Sequence, residues 1–237
     1  MLINGFLAGL AIVVGAGIVL AWGEPSERVM AVMLGLAAGV MAAAAGGDLL
    51  PAAVALSGRW AALGGFIVGG VVMQQLGAIL DRLPVLAQEG AHSSKRVGYL
   101  VFAGVALHDI LEGMAVAVGY GVTETLGLAL AAAIGIHHVP EGMAMAAPLK
   151  ASGTKGGFIL GLAALTALMT PLGICLGLGA QGLSMTAMGV LLAAAGGAMA
   201  ALAFFELCPE AWRYQIWGGR LGFLLGLFAM LVVCLKG

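Results

Sequence analysis

Apolar residues run along the chain in eight long stretches, at about 2–22, 29–56, 60–80, 97–118, 125–148, 156–178, 184–208 and 219–236. Each is near the roughly 20 residues that a helix needs to cross the hydrocarbon of a bilayer. Polar and turn-forming residues mark the breaks, with GEPSER at 23–28, SGR at 57–59 and KASGTKGG at 150–157. The pattern predicts eight transmembrane helices in a single polytopic membrane domain over 1–237, all-α, with no sizeable soluble domain. No Lys or Arg precedes the first stretch and its apolar run exceeds a signal core, so it reads as a retained helix. The longest connection, DRLPVLAQEGAHSSKR at 81–96, is polar, and its His92 reads as a surface residue.

Composition narrows the class. Of the 237 residues 62% are hydrophobic and 9% charged, against roughly 25% charged in a soluble domain, so there is too little polar surface for a water-facing shell. The 40 glycines and abundant alanine favour helices packed backbone to backbone over a β-barrel. Gly35 and Gly39, spaced as GxxxG, read as helix packing or a dimer seam. A net charge of −1 excludes a nucleic-acid partner. Cys175, Cys208 and Cys234 have no CxxC spacing and suggest neither a disulfide framework nor a zinc finger.

Charge also sets orientation. Alternate connections hold Arg28, Arg82, Lys95, Arg96, Lys150, Lys155, Arg213 and Arg220, and the opposite side holds only Arg59 and Lys236. The positive-inside bias places the first set in the cytoplasm and both termini outside a plasma membrane.

Two internal echoes follow. HDILEGMAVAVG at 108–119 and HHVPEGMAMAAP at 137–148 share H-x-x-x-EGMA and lie on spans four and five. Met41 and Asp48 on span two, ahead of Pro51, match Met199 and Glu206 on span seven, ahead of Pro209. Related spans an odd number apart run in opposite directions, the expectation for a 3+2+3 inverted repeat. Such pseudo-symmetry is a transporter signature, with the site at the repeat interface.

The chemistry sits on these echoes. Asp48, Asp109, Glu112, Glu141 and Glu206 fall inside or near the ends of spans, with His108, His137 and His138, and no Lys or Arg lies within the spans to pair with them. A carboxylate in hydrocarbon costs several kcal/mol unless it is paired, hydrated or metal-bound, so a cation from outside the chain is implied. Positions i and i+4 share a helix face, which projects His108 with Glu112, Asp109 beside them, and His137 and His138 with Glu141. At 1.5 Å per residue both groups lie near mid-depth. Two carboxylates among three histidines suit one or two divalent transition metals, Zn²⁺, Fe²⁺, Mn²⁺, Co²⁺ or Ni²⁺ rather than Ca²⁺ or Mg²⁺. Met41 either adds a thioether or fills core. Asp48 and Glu206, near opposite mouths, are entrance and exit relays or hydrated helix ends. Pro140 removes one helix hydrogen bond beside Glu141.

With these motifs the chain resembles the ZIP family of zinc/iron permeases, particularly its prokaryotic members. The family pattern H-N-x-x-E-G is matched on span four by HDILEG, with Asp109 in place of Asn, and the span-five pattern by HHVPEG. The resemblance implies an elevator-type fold, commonly dimeric and so a homodimer here, that carries zinc, and also iron, manganese or cadmium, into the cytosol. It implies a binuclear centre. One metal would take His108, Glu112, His137 and Glu141 with Met41, and the other Asp109, Glu112, His138 and Glu141. The family often has a glutamate before Pro-Leu-Gly on span six, where this chain has Thr170 before Pro171. The metal is then cargo rather than a prosthetic group, and the protein is not an enzyme. An intramembrane metalloenzyme, or a proton-conducting or sensor protein, would use the same titratable residues.

Overall fold

A computed structural model describes residues 1–23, 25–82, 94–179 and 184–234, without the side chains of Val122 and Cys234. The described residues are helical throughout, with no strand among them. The helices are α1 Leu2–Trp22, α2 Glu27–Ala44, α3 Leu50–Ser57, α4 Arg59–Leu80, α5 Ser94–Val122 and α6 Glu124–Ala151. They continue as α7 Gly156–Ala167, α8 Met169–Gly179, α9 Met185–Ala201, α10 Cys208–Tyr214 and α11 Ile216–Cys234. Residue 24, residues 83–93 with His92, 180–183 and 235–237 with Lys236 lie outside the described residues.

Local chemistry explains the starts and stops. Ser26, Thr123 and Ser184 each accept a backbone N–H from three residues on, satisfying a donor that the first turn leaves unpaired. Gly58 ends α3 at φ 76°, a conformation that a Cβ disfavours, and α4 begins at the next residue. Between α2 and α3, and between α9 and α10, the helix does not break but widens into single π turns, Ala45–Leu49 and Leu202–Leu207. Pro51 and Pro209 stand just beyond them. Each lacks an N–H and crowds the carbonyl one turn back, and a wider turn accommodates both defects. The two turns hold Asp48 and Glu206, so the echoing segments share the same irregularity.

Seven stretches among the described residues are long and apolar enough to cross a membrane: Leu2–Trp22, Glu27–Ser57, Arg59–Leu80, Ser94–Gly121, Gly156–Gly179, Met185–Tyr214 and Ile216–Val233. The remaining long helix, α6 at 28 residues, carries His137, His138, Glu141 and two internal prolines, and these lower its apolarity. It stays continuous through Pro140 and Pro148. Leu63, Ile67, Val71 and Val72 of α4 are exposed to the surroundings. Trp60 and Trp217, each 74% exposed, stand at helix starts beneath Arg59 and Arg220, an arrangement suited to a membrane–water boundary.

The principal seams join α2 to α11, α4 to α9, α1 to α6, α5 to α6 and α5 to α8. Four of the five set a glycine of each helix against a backbone carbonyl of the other. Gly39 lies on the Phe223 carbonyl and Gly226 on that of Leu36, while Gly69 meets Ala194 and Gly197 meets Phe66. Gly15 lies on the Val139 carbonyl and Gly142 on that of Ile12, while Gly113 meets Thr170 and Gly173 meets Ile110. Without Cβ atoms the backbones touch, which gives apolar helices in lipid the dispersion contact that no hydrophobic effect supplies. Gly35 and Gly39 therefore serve a seam inside the chain. The dimer-seam alternative fails because α11 already covers that face.

Candidate metal centre

The α5–α6 seam carries the chemistry. His108, Asp109 and Glu112 project from α5 and His137, His138 and Glu141 from α6, and all six are no more than 2% exposed. Each histidine–glutamate pair meets across the seam rather than at i, i+4 along one helix, while His108 also lies 3.5 Å from Asp109 of its own helix. His108 Nε2 lies 3.5 Å from Glu141 Oε1, and His137 Nε2 lies 3.2 Å from Glu112 Oε2. These pairs are equivalent under exchange of the two motifs, which converts 108 to 137 and 112 to 141. Asp109 and His138 occupy the position that maps onto itself, with Oδ1 and Nε2 3.3 Å apart.

The donor atoms fall into two groups, Glu112 with His137 and His138, and His108 with Asp109 and Glu141, each within a span of 4.8 Å. This division differs from the family-derived one, in which both glutamates serve both positions. Glu141 still approaches His138 Nε2, at 3.9 Å, and Glu112 approaches it at 3.6 Å.

Nine buried side-chain polar atoms among the described residues have no hydrogen-bond partner. Eight belong to His108, Asp109, His137, His138 and Glu141, and the ninth is Thr170 Oγ1. Each such atom costs about 1–3 kcal/mol, more when charged. Three carboxylates and three imidazoles form no ion pair with Lys or Arg among the described residues. A divalent cation with a taste for nitrogen and oxygen ligands would satisfy several of these atoms at once, and the donor set fits zinc and its neighbours.

Asp48 lines a cavity of about 320 Å³ that also reaches Glu112 and His137. The rest of its wall is apolar, from Leu49, Leu56, Val118, Leu126 and Leu130 among others. Asp48 and Glu112 are thus the two carboxylates on the lining of that cavity. Met41 is fully buried in the core, on a helix that packs against α6. Thr170 is buried on α8, its carbonyl against Gly113, the neighbour of Glu112.

Glu206 is not without a protein cation. Arg96 Nη1 donates to Glu206 Oε2 at 2.8 Å, and the same guanidinium binds Asp81 through Nε and through Nη2, the latter at 3.2 Å. The absence of basic partners within the spans therefore holds for the cluster and fails for Glu206, because α5 begins at Ser94 and includes Arg96. A basic residue in a first helical turn opposes the helix dipole, which was the available sign that it has another partner. Arg96→Gln leaves two partly hydrated acids without their cation. It should cost about 1–2 kcal/mol, below the 3–5 of a fully buried pair, read by thermal unfolding in detergent.

A model of the family described as ZIP Zinc transporter matches residues 86–234. The chain is similar to the protein named Zinc transporter ZupT of Escherichia fergusonii, 34% identical over 221 residues that cover 89% of this chain and 86% of the relative. Its counterpart in Salmonella arizonae is 34% identical over 234 residues, with the same coverage of 89% and 86%. That of Escherichia coli O1:K1 is 35% identical over 221 residues, again covering 89% and 86%.

Proposed function

The chain belongs to the ZIP family of zinc transporters, which are transporters and not enzymes, and on that premise we propose that it carries zinc into the cytosol through the α5–α6 cluster. The observation that carries the reading is the set of six buried histidine and carboxylate side chains, five of them with orphaned polar atoms, and no basic partner among the described residues. His108, Asp109, Glu112, His137, His138 and Glu141 are the ligands, with Met41 adding a thioether from α2. Two groups of donors support a binuclear centre, with Thr170 leaving the second position one carboxylate short. Iron, manganese and cadmium suit the same nitrogen and oxygen set.

An ion enters past Asp48 and crosses the apolar cavity, whose walls offer no replacement for its water shell. It sheds water only where Glu112 and His137 supply ligands. It leaves toward Glu206, once Arg96 has let that carboxylate go. The positive-inside orientation puts Asp48 at the outer mouth and both termini outside.

An eight-span 3+2+3 inverted repeat is supported by the seams. Exchanging span one with six, two with seven, three with eight and four with five converts the α2–α11 seam into α9–α4, and the α1–α6 seam into α8–α5. The matched π turns and the reciprocal His–Glu pairs obey the same exchange. The seams divide the helices into α1 with α5 to α8, and α2 with α4, α9 and α11, two bodies suited to move against each other in an elevator-type cycle.

Proteoliposomes loaded with a zinc-sensitive fluorophore test the proposal. External zinc should raise the internal signal above that of protein-free vesicles, and a chelator outside should stop the rise. No flux from folded, correctly inserted protein contradicts it.

A further inference from the structure

The geometry points to α1 as a working part of the metal centre: we propose that the backbone carbonyl of Ala8 is the positioning group that holds a proton on His138 Nδ1 and delivers Nε2 to the cargo. This rests on the α5–α6 cluster being the cargo site, but the hydrogen bond is observable without any metal.

His138 Nδ1 lies 2.9 Å from the Ala8 oxygen, wholly buried. A carbonyl can only accept, so Nδ1 must donate, and any second proton on the ring can reside only on Nε2. That nitrogen faces Asp109, Glu112 and Glu141 at 3.3, 3.6 and 3.9 Å and has no hydrogen-bond partner. Three carboxylates therefore converge on the one nitrogen that the first helix leaves to them. Neither nitrogen of His108 has a hydrogen-bond partner, and His137 is bonded only within the cluster, through Nε2 to Glu112. Among the three histidines, His138 alone is anchored from outside.

The anchor depends on close approach of α1 to α6. Gly142 lies against the Ile12 carbonyl and Gly15 against that of Val139, so the two backbones touch one to two turns beyond Ala8. Ala8 is one turn before Ile12, and its carbonyl, with two lone pairs, can serve its own helix and His138 together. Such an outer partner fixes the ring's orientation and raises the basicity of the ligating nitrogen, and its loss typically lowers metal affinity 10–100-fold.

Nitrogen-15 NMR of histidine-labelled protein, with the His138 signals identified by their loss in His138→Gln, reads the proposal directly. Nδ1 should be protonated and hydrogen-bonded both in chelator and in zinc, and zinc should shift Nε2 alone. A bare Nδ1, or zinc bound through Nδ1, overturns it. Zinc leaving every histidine signal unmoved would instead count against the cluster as the cargo site, while a protonated Nδ1 in chelator still upheld the anchor. In Gly142→Ala, where the added methyl meets the Ile12 carbonyl, calorimetry should show a 10–100-fold weaker zinc affinity and the Nδ1 proton should move upfield. Gly69→Ala, equally crowded but on the α4–α9 seam, should leave both unchanged. Equal effects in the two variants would make the contact merely structural. If either variant does not fold, the signals of the unaltered protein decide.

Discussion

Glu112→Gln and Glu141→Gln should each reduce the initial rate of zinc uptake into proteoliposomes by about 100-fold while making the metal-free protein more resistant to heat. Glutamine keeps the shape and a carbonyl oxygen but removes the charge. A charge-assisted interaction is worth about 1.5–3 kcal/mol, and the upper end corresponds to roughly two powers of ten in affinity. The gain in stability has the same origin. Both carboxylates are buried beside a third, Asp109, and face His137 and His108 but no Lys or Arg among the described residues, so on removal the relief of repulsion and desolvation outweighs the loss of one histidine contact. Opposed effects on function and stability mark a site selected for its cargo rather than for the fold. Uptake rate and unfolding temperature in chelator, measured on the same preparations, check both halves. Near-normal uptake in both variants would contradict the assignment.

Gly113→Val should destabilise the protein by about 1–3 kcal/mol or prevent its accumulation, the range expected for forcing bulk into a close-packed contact. The Thr170 carbonyl occupies the space a side chain at 113 would need, and Gly173 meets Ile110 from the opposite helix. Rigid backbone cannot give way as a flexible side chain can, so α5 and α8 must part. Because Glu112 is the preceding residue, the surviving folded fraction should also take up zinc poorly. The control is Gly161→Ala on α7, where nothing lies within 4 Å of the added methyl. That change should be neutral or stabilise by up to about 1 kcal/mol through helix propensity. Unfolding in detergent together with folded yield distinguishes the two.

How much of this was legible in the sequence depended on the kind of signal. The apolar stretches and the duplicated H-x-x-x-EGMA motif are periodic, and periodicity survives folding, so the helices and the six clustered residues could be read from the chain. The division of donors into Glu112 with His137 and His138, and His108 with Asp109 and Glu141, could not. Spacing fixes which residues share a face of one helix, but the rotation of α5 against α6 decides which pairs meet across the seam, and cross-helix pairs prevailed over the i, i+4 pairs. Glycine content announced close packing without naming partners, and Gly35 and Gly39 proved to face α11. Arg96 was assigned to a loop because boundaries are the weakest part of a hydropathy reading, and one extra turn of α5 brings it to Glu206. Ala8 had no sequence signal at all, since its contribution is a backbone oxygen.

Pro51 and Pro209 show a signal that was present and could be read further. An acid three residues before a proline in an apolar run sets a carboxylate in the very turn that the proline disturbs. In both cases the chain forms a π turn there, with Asp48 bordering the cavity toward the cluster and Glu206 held by Arg96.

The most direct test of the central claim is an anomalous-difference map at the zinc edge from crystals of the intact protein soaked in zinc. Zinc density enclosed by His108, Asp109, Glu112, His137, His138 and Glu141 is the predicted result. Zinc bound elsewhere in the membrane-embedded helices with that cluster empty would contradict it.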